Sequence, residues 1–318
     1  MKKIAVIEKI HKDGLDLLQK NPNYTYELIT DVSEENLIKK LPNFDACTLR
    51  VTRLDEKILK HCPNLKVISR HGVGYDNVDL KYIKKNNISL LITATANAVA
   101  VAEHVLSMFL SLSKSIINYD NEVRAGNFKK NANKIQTFEL LNKNILIAGF
   151  GRIGKKLISR CLAFDTKVYI FDPYVDKEVI KKHGGIKIDN IEDGLQNADY
   201  VSLHMPLTPE TKNLINYSVI KKMKKNSIIV NTARGGIINE NDLEKALNEN
   251  LIFGAALDVF SKEPIENNNP LINNRKVILS PHSATFTDEC TSRMSIETTK
   301  NIIDFFENKL DKSMFVKL

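Results

Sequence analysis

The chain has 318 residues, of which 43% are hydrophobic and 26% are charged, and its formal net charge at pH 7 is +8. This length predicts two domains, and the composition excludes a disordered chain, a collagen and a coiled coil. The four cysteines are scattered, with no CxxC pair and no histidine at metal-ligand spacing. The sequence therefore predicts neither a disulfide scaffold nor a metal site, and it is typical of a protein of the reducing cytosol.

The sequence also argues against a membrane or nucleic-acid partner. The N-terminal segment has too few consecutive apolar residues for a signal peptide, and the longest apolar stretch, residues 94–112, contains Glu103 and His104. Only nine of the 46 basic residues are arginine, and the lysines are spread along the chain without interleaved aromatic residues. We therefore expect a cytoplasmic protein with a solvated, lysine-rich surface. A nucleic-acid-binding module is the alternative that the positive charge leaves open.

Short apolar runs alternate with amphipathic segments along the chain, which predicts parallel strands joined by helices. The first series of predicted strands is KIAVIE (3–8), YELIT (26–30), ACTLR (46–50), KVISR (66–70) and SLLIT (89–93). The second series is NILIAGF, KVYIFD, YVSLHM, SIIVNTA, FGAALDV and VILSPH. One long helix is predicted over residues 98–117 and a closing helix over residues 287–310. The sequence thus predicts an α/β protein with two doubly wound parallel-sheet units.

A glycine motif directly follows the predicted strand NILIA and precedes the helical segment KKLISRCL. Gly149, Gly151 and Gly154 form a GxGxxG pattern, which in this context is typical of a dinucleotide-binding turn. Asp172 ends the next strand, 18 residues after Gly154, where a carboxylate binds the adenosine ribose. No arginine follows it in PYVDKE, so the sequence favours NAD over NADP. The alternative is a plain glycine turn with a solvated aspartate.

Polar side chains follow the predicted strands of the second series. Arg234, Asp258, Glu263 and His282 lie after three successive strands, and His204 lies after an earlier one. Because ligands of open α/β sheets bind outside the carboxyl ends of the strands, these groups are expected to share one cleft. Taken singly, each of them could equally be a solvated residue at a strand end.

These motifs, in this order, resemble the D-isomer-specific 2-hydroxyacid dehydrogenase family. The matching segments are GFGRIG, LHMPLTPET, NTARGG, ALDVFSKEP and SPHSA, with SRHGVGYDNVD and NAVAVAEH upstream. The resemblance covers nearly the whole chain. It implies a Rossmann NAD domain, residues 98–286, inserted into a flavodoxin-like substrate-binding domain formed by residues 1–97 and 287–318. It also implies a homodimer formed through the long helix near Ala98.

The resemblance assigns a role to each motif. It implies that Arg234 holds the 2-oxo acid, that His282 donates and accepts the proton, and that Glu263 is the partner of His282. It further implies that the amides of Gly72, Val73 and Gly74 bind the substrate carboxylate. Around the glycine motif, the residues implied to line the NAD site are Arg152, Ile153, Asp172, Met205, Thr232, Ala233, Asp258 and Ala284.

The chemistry of these side chains suits the implied reaction, which is the NAD-dependent interconversion of a D-2-hydroxy acid and its 2-oxo acid. Hydride transfer at C2 requires a proton at the C2 oxygen, and an imidazole exchanges protons near neutral pH. The Glu263 carboxylate is expected to raise the pKa of His282. The Arg234 guanidinium is expected to polarise the carbonyl with forked hydrogen bonds.

Two arginines of the first unit bear on the substrate. Arg50 and Arg70 end the strands ACTLR and KVISR, where both guanidinium groups are expected to face the substrate. Forked donors suit a second anionic group such as phosphate or sulfonate. The D-3-phosphoglycerate dehydrogenases of the family carry arginine at both matching places, and this resemblance implies phosphohydroxypyruvate as the substrate. Because the chain is short, regulation by serine is not expected. Solvated or Asp-paired arginines are the alternative interpretation.

Several other functions remain open at this point. Within the family, the alternatives are a dehydrogenase of sulfolactate, of hydroxypyruvate or glyoxylate, or of D-lactate. Outside enzymes, the alternative is an NAD-sensing binding protein of the corepressor type, which would keep the cofactor cleft without turnover.

Overall fold

The computed structural model describes residues 1–128 and 136–318. These residues form two compact units, one comprising Met1–Asn97 with Phe286–Leu318 and the other comprising Ala98–Thr285. The structure groups Phe286 with the first unit, whereas the sequence prediction places it in the second.

The first unit contains a five-stranded parallel sheet in the order β2-β1-β3-β4-β5. The strands are β1 (Lys2–Ile7), β2 (Tyr24–Ile29), β3 (Ala46–Leu49), β4 (Val67–Arg70) and β5 (Ser89–Leu91). The connecting helices are α1 (Lys12–Gln19), α2 (Glu34–Lys40), α3 (Glu56–Leu59) and α4 (Leu80–Lys85). The central strands β3 and β4 are buried on both faces, as expected for a parallel sheet covered by helices. This strand order is flavodoxin-like, as predicted.

The second unit contains a seven-stranded parallel sheet in the order β12-β11-β10-β9-β6-β7-β8. Its strands are β6 (Asn144–Ala148), β7 (Lys167–Phe171), β8 (Ile186–Ile188), β9 (Tyr200–Leu203), β10 (Ile228–Asn231), β11 (Gly254–Leu257) and β12 (Val277–Leu279). Its helices are α5 (Ala98–Ser113), α6 (Ile116–Arg124), α7 (Arg152–Leu162), α8 (Lys177–Lys182), α9 (Ile191–Asn197), α10 (Tyr217–Ile220) and α11 (Glu240–Asn248). Counted from β6, the first six strands follow the Rossmann order 3-2-1-4-5-6, which confirms the predicted fold class. The short edge strand β8 was not predicted.

The predicted single helix over residues 98–117 is wrong, because two helices occupy this segment. Helix α5 ends at Ser113, and Ser115 has a left-handed backbone with φ of 53° before α6 begins. The Ser113 hydroxyl donates to the Phe109 carbonyl and lies 2.8 Å from the Tyr200 hydroxyl. The apolar pattern continues across this break, so periodicity alone could not locate it.

Helix α5 packs within the core of the second unit through residues such as Val105 and Phe109. Among the described residues, no single helix is long and apolar enough to cross a membrane. Within the described residues, α5 and α6 together reach the length and apolar composition of a membrane span, but the chain bends by 58° between them.

The closing helix α12 (Asp288–Phe306) returns to the first unit and packs against α1. Thr287 caps its N-terminus by accepting the Cys290 amide, and the Ser295 hydroxyl donates to the His11 carbonyl. The two helices approach so closely that a Cβ atom on Gly14 would lie 2.2 Å from the Ser295 hydroxyl oxygen. A glycine at this position of α1 therefore permits the contact.

Candidate active site

The glycine motif of the second unit forms the turn between β6 and α7. Gly149 has a φ of 103°, and a Cβ atom there would lie 2.6 Å from the His204 carbonyl oxygen. A Cβ atom on Gly154 would lie 2.5 Å from the Gly149 carbonyl oxygen. Helix α7 starts at Arg152 without a side-chain cap, which leaves backbone N–H groups for a pyrophosphate. The turn thus provides a cradle that fits a dinucleotide.

Asp172 follows β7 directly and lies against this turn. One of its carboxylate oxygens accepts the Phe150 amide at 2.8 Å, and the other accepts the Tyr174 amide at 2.9 Å. Since each carboxylate oxygen has a second lone pair, both can still accept a ribose hydroxyl. The position predicted from spacing therefore fits the ribose of a dinucleotide.

The turn after β10 carries Arg234 and is braced by a side chain that the sequence analysis did not single out. The buried Asn231 amide donates to the Arg234 carbonyl at 2.9 Å and accepts the Ala233 amide at 3.0 Å. The only signal in the sequence was a polar residue at the end of an apolar strand. Thr232 in the same turn has a buried hydroxyl with no partner among the described residues, and such atoms also occur elsewhere in the chain, for example at Ser227 and Thr299.

Glu263 and His282 form the central pair of the second unit. A Glu263 carboxylate oxygen lies 2.7 Å from His282 Nδ1, and the other oxygen accepts the Phe260 amide at 3.0 Å. His282 has a left-handed backbone with φ of 52°, which costs about 1 kcal/mol or more and must be maintained by its surroundings. The glutamate thus fixes the imidazole tautomer with Nε2 directed away from the carboxylate.

The pair is electrostatically matched. The hydrogen bond that His282 donates to Glu263 raises the pKa of His282 against the opposing effects of burial and of the Arg234 charge. Burial raises the pKa of Glu263, but the hydrogen bonds from His282 and Phe260 outweigh it and hold that pKa below its ordinary value. Each partner therefore favours the charged form of the other, relative to the isolated side chains.

A buried carboxylate holds the segment that carries His282. Asp258 is 1% exposed and accepts the Ser280 hydroxyl at 2.5 Å, the Ser283 amide at 2.8 Å and the Ala284 amide at 3.0 Å. His104 of α5 lies 3.1 Å from the same Ser280 hydroxyl, a contact that sequence reasoning missed because the two residues are far apart in the chain. These bonds stabilise the strained backbone of His282.

Backbone packing brings the Arg234 turn against the segment that leads to Glu263. A Cβ atom on Gly235 would lie only 1.8 Å from the Phe260 carbonyl oxygen, so this contact requires glycine. The charge of Arg234 lowers the pKa of both Glu263 and His282. The structure therefore brings together the three side chains that the sequence predicted as a catalytic set.

Two other histidines are unsuited to proton exchange near neutral pH. Burial lowers the pKa of His204 to about 4, and its Nε2 lies 2.8 Å from the Ser202 hydroxyl. Burial, followed by the Arg50 charge, also lowers the pKa of His71 to about 4. In the described part of the chain there is also no cluster of three side chains able to hold a metal ion.

The predicted substrate residues of the first unit lie at the carboxyl ends of β3 and β4. Arg70 is 9% exposed; its Nε donates to the Gly74 carbonyl at 2.7 Å and its Nη1 to the Leu49 carbonyl at 2.8 Å. Arg50 is half-buried and donates to the Lys9 carbonyl at 2.9 Å. Both guanidinium groups therefore bind backbone oxygens, and Arg70 also fixes the glycine loop.

The glycine loop of the first unit follows β4 and offers backbone donors. The amides of Gly72, Val73 and Gly74 donate to no acceptor within the described part of the chain. Gly72 has a φ of 150°, and its carbonyl accepts the Thr93 amide at 3.0 Å. The loop is therefore anchored through its carbonyl oxygens, and its N–H groups point to no acceptor in the described residues, so binding of an anion by these amides stays a prediction.

Comparison with known proteins gives the family. Residues 106–284 match the family model described as the D-isomer specific 2-hydroxyacid dehydrogenase, NAD binding domain. The chain is 35% identical over 290 residues to D-3-phosphoglycerate dehydrogenase of Methanocaldococcus jannaschii, covering 91% of this chain and 54% of that protein. It is 33% identical over 320 residues to glyoxylate reductase of Thermofilum pendens, covering 99% of this chain and 94% of that protein.

Solved structures agree with these relatives. The TT0316 protein from Thermus thermophilus superposes with a TM-score of 0.89 at 26% identity, covering 99% of this chain and 100% of that chain. D-lactate dehydrogenase from Aquifex aeolicus, complexed with NAD and lactic acid, gives a TM-score of 0.85 at 28% identity and covers 98% of each chain.

The second unit is thus a dinucleotide-binding Rossmann domain with an Arg–Glu–His set at its strand ends. The chain belongs to the D-isomer-specific 2-hydroxyacid dehydrogenase family, and NAD is the cofactor of its Rossmann domain. These findings confirm the family and the cofactor that the sequence predicted. The chain spans about half the length of the first curated relatives that it matches.

The His282 imidazole is expected to titrate above the ordinary histidine pKa, and Glu263→Gln is expected to lower that pKa because the carboxylate charge is lost. The measurement is a pH titration of the imidazole protons by NMR, with His282→Asn to assign the resonance. His71 and His204, whose pKa values burial lowers to about 4, provide the contrast. A pKa that does not respond to Glu263→Gln would contradict the pairing.

Proposed function

We propose that this protein is an NAD-dependent oxidoreductase that interconverts a D-2-hydroxy acid and its 2-oxo acid. The observation that carries the proposal is the 2.7 Å contact between Glu263 and His282, in the same unit as the dinucleotide turn. An acid/base of raised pKa, in the same unit as an arginine and a dinucleotide-binding turn, is what proton-coupled hydride transfer requires.

The NAD site is proposed on the residues around the glycine turn. The α7 N-terminus would hold the pyrophosphate, and Asp172 would accept the adenosine ribose hydroxyls and repel a 2′-phosphate. The Thr232 hydroxyl would gain the partner that it lacks among the described residues. The further residues proposed to line the site are Arg152, Ile153, Met205, Ala233, Asp258 and Ala284. Bound there, the nicotinamide supplies or accepts the hydride at the substrate C2.

His282 is proposed to exchange the proton of the substrate C2 oxygen through Nε2, since Nδ1 is held by Glu263. In reduction the protonated imidazole donates this proton, and in oxidation the neutral imidazole accepts it. Arg234 would polarise the C2 carbonyl, and its forked donors suit the adjacent carboxylate. The amides of Gly72, Val73 and Gly74 are proposed to bind the carboxylate as well.

The raised pKa of His282 sets the expected pH dependence. Reduction requires the protonated imidazole, so its kcat/KM is expected to fall as the pH rises through the pKa of His282. His282→Asn is expected to lower kcat by about 10²- to 10⁴-fold because the proton donor is lost, while NADH binding changes little.

Steady-state NADH oxidation with phosphohydroxypyruvate, hydroxypyruvate, glyoxylate, pyruvate and sulfopyruvate measures this activity, and NADH fluorescence measures binding. Near-normal turnover in His282→Asn would contradict the role of the histidine. NAD binding without turnover of any 2-oxo acid would instead favour an NAD-sensing binding protein.

Asp172→Ala is expected to raise the KM for NAD and to narrow its advantage over NADP, since the variant loses both the ribose acceptor and the repulsion of a 2′-phosphate. The ratio of kcat/KM for the two cofactors gives the result. Asp176→Ala is a matched control, because this aspartate stands at the N-cap position of α8, after the strand-end turn, and its side chain makes no capping hydrogen bond. An unchanged ratio in Asp172→Ala would place the ribose acceptor elsewhere.

For the substrate, we propose a doubly anionic 2-oxo acid, with phosphohydroxypyruvate first and sulfopyruvate as the alternative. Arg50 is half-buried and uses one of its five N–H donors on the Lys9 carbonyl, so it can bind a second anionic group. D-3-phosphoglycerate dehydrogenases are among the relatives, and so is a glyoxylate reductase. The match to the glyoxylate reductase covers 99% of this chain and 94% of that protein, against 91% and 54% for the D-3-phosphoglycerate dehydrogenase of Methanocaldococcus jannaschii. Glyoxylate, hydroxypyruvate and D-lactate therefore stay as alternatives.

The two arginines are expected to differ in their effects. Arg50→Ala should raise the KM for phosphohydroxypyruvate and leave that for glyoxylate almost unchanged. Arg70→Ala should raise the KM for every 2-oxo acid, because Arg70 also holds the Gly74 carbonyl. Arg53→Ala, at a side chain that is 77% exposed, is the control. If glyoxylate or pyruvate is the best substrate of the wild type, the doubly anionic substrate is excluded.

We also propose a homodimer, with the contact placed on α6 rather than α5. Much of α5 is buried within the second unit, whereas every residue from 116 to 128 is exposed. Ile116, Val123 and Phe128 are 51%, 54% and 74% exposed. Sedimentation analysis should give a dimer, and Val123→Glu should weaken it; a monomeric wild type would exclude this proposal.

The cytoplasmic location and the absence of nucleic-acid and membrane partners stay predictions from composition.

A further inference from the structure

The loop that carries Glu263 has little apolar support. Residues 261–270, called here the Glu263 loop, run between the buried side chains of Phe260 and Leu271, and eight of its ten residues are exposed. Beneath it lies a cavity lined by polar residues such as Asn213, Asn239 and Asn268. Ile265 packs against the hydrophobic core, but the exposed remainder of the loop depends on hydrogen bonds for its conformation.

One carboxylate outside the loop supplies two of these bonds. Glu240, the first residue of α11, accepts the Ser261 amide at 2.6 Å with Oε1 and the Asn269 side-chain amide at 2.5 Å with Oε2. The two contacts lie on either side of Glu263 in the chain. Asn269 cannot reverse its amide without loss, because its Oδ1 already accepts the Leu271 amide at 3.0 Å.

We propose that Glu240 is a positioning residue that holds the Glu263 loop and so sets the contact between Glu263 and His282. This inference rests on the proposed function, in which that contact keeps the proton donor protonated and oriented. Glu240 acts on the reaction only through the loop. A shift of Glu263 by a fraction of an ångström would lengthen the 2.7 Å contact with His282 and weaken its effect.

A purely structural role is the competing explanation. Glu240 lies in the first turn of α11, where a carboxylate stabilises the helix dipole, and Asn239 caps that helix. Loss of this effect would lower stability and leave the pKa of His282 unchanged. The titration of His282 therefore separates the two roles.

The first variant is Glu240→Gln, which keeps one oxygen for the Ser261 amide but turns an NH₂ group toward the Asn269 NH₂ group. We expect the pKa of His282 to fall toward its ordinary value, since Glu263 then contacts it less closely. The other charged groups that face His282, Asp258 and Arg234, are unchanged. We also expect the kcat of reduction to fall about 10-fold, within the roughly 10²-fold that a small misplacement costs.

The second variant leaves α11 untouched. Asn269→Asp places a carboxylate opposite that of Glu240 and keeps the oxygen that accepts the Leu271 amide. Repulsion between the two carboxylates is expected to lower the pKa of His282 as well. This variant tests the inference even if Glu240→Gln does not fold.

The two changes combined should restore the arrangement. In the double variant Glu240→Gln with Asn269→Asp, the new glutamine amide donates to the new aspartate, and its oxygen still accepts the Ser261 amide. The pKa of His282 is expected to return toward its wild-type value, and kcat is expected to return to within about twofold of the wild type. Such coupling is typical of groups in direct contact. Glu244→Gln, on the same helix and hydrogen-bonded to Asn248, is the matched control.

NMR titration of His282 and NADH oxidation by each variant together decide the outcome. A lowered pKa in both single variants, restored in the double variant, would support the inference. An unchanged pKa in both single variants, or loss without restoration in the double variant, would overturn it. If the wild type reduces no 2-oxo acid, the proposed function fails, while the NMR titration still decides whether Glu240 sets the Glu263–His282 contact.

Discussion

The hydrogen bond between Glu263 and His282 is the interaction on which the rest of the site depends. The two residues lie on separate loops, and the imidazole gains its raised pKa only while the carboxylate stays 2.7 Å away. Side chains on exposed loops do not keep such a distance by themselves, because each has several rotamers of similar energy. The surrounding structure must therefore immobilise both loops.

Each loop is held through its backbone by a polar side chain. Asp258 binds the segment around His282 and maintains its left-handed backbone, and Asn231 braces the turn of Arg234. Glu240 binds the Glu263 loop at two points. Carboxylates suit this task, since hydrogen bonds to a charged acceptor are stronger than those between neutral groups.

The first unit uses a cation for the same purpose. Arg70 is nearly buried and donates to the carbonyl oxygen of Leu49, at the end of β3, and to that of Gly74 in the glycine loop. With their carbonyl oxygens occupied, Gly72 and Gly74 present N–H groups instead. A buried arginine can thus shape the proposed anion site through the backbone, whether or not it also contacts the ligand.

Much of the fold and the identity of the central residues followed from the sequence alone. Alternation of apolar runs and amphipathic segments predicts parallel sheets, because strands buried on both faces must be apolar throughout. The glycine motif and Asp172 are local signals, since a tight turn and its spacing to the next strand are set within one βαβ unit. The proposed roles of Arg234, Glu263 and His282 came from the family resemblance that the order of motifs carries.

Only the tertiary structure decided which groups hold these residues in place. Glu240 and Asn269 are 29 residues apart and Asp258 and Ala284 are 26 apart, and no periodicity links such pairs. The break of α5 at Ser115 and the burial of Arg70 were likewise absent from the pattern. A sequence pattern reports which face of an element is buried, whereas hydrogen bonds between loops depend on how the strands are ordered in the sheet.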